Sequence, residues 1–116
     1  AERILEVAKA NPMHYALVRL LRHTSLRAGE ILSIRWDRLD LEGGYTVLVG
    51  RGGQMRSVYF GQEVAEALKS YREILGDSPP ERVFPFTYNS LYNLLRRLAK
   101  KAGVEGPFSP RAWRRL

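Results

Sequence analysis

The sequence predicts an α+β domain, mainly helical, with a small antiparallel β-sheet built on one hairpin. Three observations carry that prediction. Apolar residues recur at helical spacing towards both ends of the chain. Between residues 45 and 60 the pattern changes to short runs of β-branched and aromatic residues, and those runs flank a glycine-rich tip. With 116 residues, 45% of them hydrophobic and 27% charged, the chain has the length of one domain and enough apolar surface for a core.

In order along the chain, Ile4, Leu5 and Ala8 mark a short helix over Glu2–Lys9, ended by Asn11-Pro12. A second helix starts at Pro12, with proline suitably placed in the first turn, and runs through Ala16, Leu17, Leu20 and Leu21. Thr24-Ser25 interrupts, and a third helix is expected from Ala28 to Ile34. Glu42-Gly43-Gly44 is a turn signal. It leads into a hairpin of Tyr45–Val49 and Ser57–Phe60 around Gly50-Arg51-Gly52-Gly53-Gln54-Met55-Arg56. Residues Gln62 to Leu75 return to helix, with Val64, Ala65, Leu68 and Tyr71 on one face. Val83-Phe84-Pro85-Phe86 is expected as a short strand at the sheet edge, where proline is tolerated. Thr87 caps a helix to Lys101 that Gly103 stops, and Ser109-Pro110 opens a last one.

Charge narrows the function. Nineteen basic residues against twelve acidic give +7, and fifteen of the nineteen are arginine, the lysines being Lys9, Lys69, Lys100 and Lys101. Arginine presents a rigid fork of donors to phosphate oxygens, so the balance favours a polyanionic partner. The chain has no cysteine, which excludes disulfides, thiolate metal sites and a cysteine nucleophile. No apolar run approaches the ~20 residues of a membrane span, so no membrane partner and an intracellular location are expected. No histidine or carboxylate cluster has ligand spacing, so neither metal nor cofactor is expected. The glycine turn is not followed by Gly-Lys-Ser/Thr and is no phosphate loop of the nucleotide-binding kind.

Three stretches then stand out together. They are Thr24-Ser25-Leu26-Arg27-Ala28-Gly29-Glu30 with its continuation to Trp36-Asp37-Arg38-Leu39-Asp40, the hairpin Gly50–Arg56, and Ser109-Pro110-Arg111-Ala112-Trp113-Arg114-Arg115. In this order and spacing they resemble the T-G-L-R-x-x-E, G-K-G-x-K-x-R and S-P-H-x-L-R-H segments of the catalytic domain of tyrosine recombinases, the phage integrase family. The resemblance covers essentially the whole chain. It implies site-specific recombination or integration of duplex DNA, by attack of a tyrosine on the scissile phosphate to give a 3′-phosphotyrosyl link and a free 5′-hydroxyl.

By the same resemblance Arg27 and Arg114 clamp that phosphate, where held cations stabilise the charge that builds on its oxygens. Arg51 and Arg111 complete the catalytic set. Arg51, Arg56 and Arg96 contact DNA, and Glu30 supports Arg27 by pairing with it or by holding a neighbouring helix. Trp36 is read as packing and Asp37 as a cap, while His14 and His23 are off-motif. The expected domain is residues 1–116 as a partial catalytic domain, lacking the N-terminal clamping domain and the nucleophile segment. On that expectation the fragment is monomeric and inactive alone, and the full-length protein is a homotetramer on DNA.

Two departures matter. The family's hairpin lysine, its general acid, is Arg51 here, and a guanidinium gives up its proton poorly. The histidine of the third motif is Arg111. None of the six tyrosines follows the third motif, so none is in the nucleophile's place. These departures keep open a degenerate duplex-DNA-binding relative. An unrelated RNA-binding domain, with Arg51-Gly52-Gly53 as its element, is the remaining alternative.

Overall fold

Local signals set most of the boundaries. The computed structural model describes residues 2–104, which run α1 (Glu2–Ala8), α2 (Pro12–His23), α3 (Ala28–Leu32), β1 (Leu39–Asp40), β2 (Tyr45–Val49), β3 (Met55–Tyr59), α4 (Gly61–Ile74) and α5 (Tyr88–Lys101). Asn11 does more than end α1. Its side-chain oxygen accepts from the backbone N–H of Met13 and His14, satisfying donors that the first turn of α2 leaves open. Thr87 does the same for α5 through Ser90 N–H, and Gly103 closes that helix at φ +72°, a conformation costly for any side chain. The expected helix at Ser109-Pro110 lies outside the described residues.

The core is one cluster of buried side chains. Helix α2 packs along α4, and α1 lies against both α2 and α5. Leu17, Leu20, Ile31, Leu68, Leu91 and Leu95 are fully buried within it. Burying such a side chain is worth roughly 1.5–3 kcal/mol each, so the helices are held by packing rather than by their own propensity.

The sheet is antiparallel, in the order β1-β2-β3. Thr46 and Leu48 of β2 face the core, and the buried Thr46 hydroxyl donates to the Arg38 carbonyl. Tyr45 pairs with Tyr59 and Val49 with Met55 across the hairpin. Its tip is closed by bonds from Gly50 N–H to Gln54 O and from Gly53 N–H to Gly50 O, with Gly52 and Gly53 at φ +84° and +83°. The first strand of the sheet was not foreseen: Leu39 and Asp40 pair with Thr46 and Tyr45 across the Glu42–Gly44 turn.

Two expectations are corrected. Helix α3 ends at Leu32, not Ile34, because the Ile34 carbonyl accepts from Val83 N–H and Arg35 is extended. Val83–Phe86 does not join the sheet edge. The chain there makes a single antiparallel bridge, Arg35 with Arg82, after which Phe86 N–H turns back onto the Phe84 carbonyl and Pro85 offers no donor. What fixes this segment is aromatic packing. Val83 and Phe84 are buried, the Phe84 ring stacks 5.8 Å from Tyr71, and the Tyr71 hydroxyl donates to Val83 O at 2.7 Å. Trp36 packs as expected, its ring 5.5 Å from Tyr71.

Candidate nucleic-acid interface

The stretch from α2 to α3 is arranged so that Leu26 turns in and Arg27 turns out. Thr24 Oγ1 donates to Leu20 O and accepts from Leu26 N–H, fixing the chain as it leaves α2. Leu26 is buried, while Arg27, extended at the start of α3, is exposed. The Arg27 guanidinium makes no hydrogen bond or ion pair with any described residue.

Glu30 ties the two recognised segments together. Its Oε1 accepts from the backbone N–H of Arg27 at 2.9 Å, and its Oε2 takes the guanidinium of Arg56, on β3, at 2.6 Å. The bond from Arg27 N–H, then the contact with Arg56, hold the Glu30 carboxyl below its ordinary pKa. It is therefore a carboxylate at neutral pH and donates no proton. Among the described residues Glu30 makes no hydrogen bond to the Arg27 guanidinium, although the charge of Arg27 also helps to lower its pKa. It anchors the backbone under Arg27 and reaches across to the hairpin.

Between α3 and the hairpin lies an open cleft of about 1290 Å³, lined among others by Ser25, Arg27, Glu30, Gly50, Arg56 and Tyr59. The first and second motifs thus meet on one surface, with arginine from each. Arg51 stands beside Gly50 at the hairpin tip by its backbone, and its side chain is outside what is described. Arg96 is exposed on α5 and is not part of the cleft lining. Arg111 and Arg114 lie outside the described residues. Asp37, expected as a cap, instead forks with Arg35 at 3.0 and 3.2 Å.

The sequence did not disclose Tyr59 and Ser25 as lining. Tyr59 is 71% exposed on an edge strand and its ring lies 5.4 Å from Tyr45, a pairing that register alone determines. Neither histidine lines the cleft: His23 accepts from Arg19 at 2.8 Å, on the α2–α4 side. Among the described residues no group of histidines and carboxylates is placed to hold a metal ion, and no helix is long and apolar enough to cross a membrane.

Comparison with known proteins places this geometry. The chain matches the phage integrase family over residues 1–116. It is 37% identical, over 90 residues, to the tyrosine recombinase XerA of Saccharolobus solfataricus, which covers 77% of this chain and 30% of that relative. It superposes on a crystal structure of XerA recombinase with a TM-score of 0.85 at 26% identity, covering 97% of this chain and 44% of the other. A site-specific recombinase, XerH, bound to its difH substrate in a pre-cleavage complex, has the same fold at a TM-score of 0.77 and 20% identity. The chain spans less than half the length of these relatives. A match along its entire length, with the first two motifs facing one cleft, means that this chain belongs to the phage integrase family of tyrosine recombinases.

Proposed function

We propose that this chain is the phosphate-gripping part of a recombinase catalytic domain, acting on duplex DNA in site-specific strand cleavage and rejoining through a 3′-phosphotyrosyl intermediate. The observation that carries the reading is the cleft between α3 and the hairpin, where an exposed Arg27 stands over a backbone anchored by Glu30. The Arg27 guanidinium lies in the field of the Glu30 carboxylate but makes no hydrogen bond to a described residue, so its paired donors are available for the two non-bridging oxygens of a phosphate. Arg114 supplies the second half of that clamp. Arg51, carried by the hairpin tip, neutralises charge on the leaving 5′-oxygen, and Arg111 donates to the phosphate. Because guanidinium holds its proton at any working pH, neither acts as a general acid. Arg56 and Arg96 add contacts to the DNA. None of the six tyrosines in this sequence takes the nucleophile's role, and the parent protein works as a tetramer on two duplexes.

A second reading is favoured by one specific observation. Arginine stands at both Arg51 and Arg111, where the family's motifs carry lysine and histidine, which suits a relative that keeps the phosphate clamp without the chemistry. Suicide duplexes separate the two. The parent protein carrying this domain is offered a nicked duplex containing its target site, and a denaturant-resistant protein–DNA adduct is sought. Recombination predicts an adduct that Arg27→Ala and Arg114→Ala each abolish. Duplex binding without an adduct would leave the non-catalytic relative.

A further inference from the structure

A second cavity, of about 340 Å³, opens where α2 and α5 meet near the end of α1, and it shares no lining residue with the Arg27 cleft. Its walls are apolar at Val7, Leu94 and Leu98, and its polar residues are Asn11, whose side-chain oxygen already accepts from the backbone of Met13 and His14, with His14, Arg97 and Lys101. Arg97 and Lys101 are four residues apart on α5 and so share one helix face. Neither forms an ion pair or hydrogen bond with any described residue. The cavity thus gathers three nitrogen-bearing side chains beside an apolar wall, with no carboxylate in its lining among the described residues.

We propose that His14, Arg97 and Lys101 form a binding site for a phosphate-type oxyanion, separate from the Arg27 cleft. The volume exceeds the ~30 Å³ share of one water several times over, so a phosphate group with part of an ester fits. Arg97 offers a fork of donors, Lys101 three rotatable ones, and a protonated His14 two more. Apolar walls strengthen each of these charge-assisted bonds. Burial, then the charges of Arg97 and Lys101, press the His14 pKa below the ordinary histidine value. A bound oxyanion reverses that pressure by favouring the imidazolium. Inorganic phosphate and a phosphodiester of nucleic acid share the required chemistry. The site does not depend on the recombinase reading.

The chain has only two histidines, so proton NMR titration follows His14 directly. In inorganic phosphate, against chloride at matched ionic strength, His14 should titrate at higher pH. Arg97→Gln and Lys101→Gln should each weaken the phosphate response about tenfold or more, the scale of one hydrogen bond to a charged group. Arg27→Ala should leave it intact. Displacement of phosphate from His14 by a short duplex assigns the site to a phosphodiester, and indifference to the duplex assigns it to the free anion. Identical His14 titrations in phosphate and chloride, or a response unchanged in both α5 variants, would overturn the proposal.

Discussion

Glu30 divides its two oxygens between the backbone of Arg27 and the side chain of Arg56, so a single carboxylate couples α3 to the hairpin. The Arg56 side of this coupling is weak in free energy because that side chain is 60% exposed. A double-mutant cycle of Glu30→Gln and Arg56→Gln, read by urea unfolding, should give a coupling of about 0.2–1 kcal/mol. The pH dependence has a definite sign. The folded-state pKa of Glu30 is depressed, so its contribution is complete above the ordinary carboxylate pKa and is lost as pH falls through the lowered folded value. Glu30→Gln should therefore lose less stability than the wild type over that acid range. The position of Glu30 one turn after Arg27 was legible in the sequence. Its bond to Arg56 was not, since helical spacing points only at residues on the same helix and Arg56 arrives from a distant strand.

At the scale of elements, tertiary partners decide what local pattern leaves open. The hairpin, α2, α4 and α5 could be read from periodicity and caps because each carries its own stop signals. Leu39-Asp40 carries none, and becomes a strand because Tyr45 and Thr46 lie alongside it. Val83–Phe86 has strand composition, yet its course is set by Tyr71 and by the Ile34 carbonyl. Tyr71→Phe tests that assignment. It removes the bond to Val83 O and leaves a buried acceptor, so it should cost about 0.5–1.5 kcal/mol in urea unfolding. An unchanged midpoint would mean that the hydroxyl does not hold this segment. The tip of the hairpin makes a separate prediction. A Cβ at Gly53 would meet no atom within 4 Å, but φ is +83°. Gly53→Ala should therefore destabilise by about 1–2 kcal/mol through backbone strain alone, while Gly29→Ala, in a helix with open space around it, should not.

At the scale of the molecule, a +7 chain rich in arginine folds so that two motifs far apart in sequence face one cleft, while α5 sets further basic residues on another side. The order of the motifs was visible in the sequence. Their meeting was not, because it depends on how α3 sits against the edge strand. The account rests on Arg27 contacting a DNA phosphate from that cleft. The direct measurement is the affinity of this chain for a duplex as a function of salt, for the wild type and for Arg27→Ala. Each phosphate contact releases counterions and adds about 0.9 to the slope of log affinity against log salt. The account predicts weaker binding by Arg27→Ala, with a slope shallower by about 0.9. An Arg27→Ala chain that binds with the wild-type affinity and slope would contradict it.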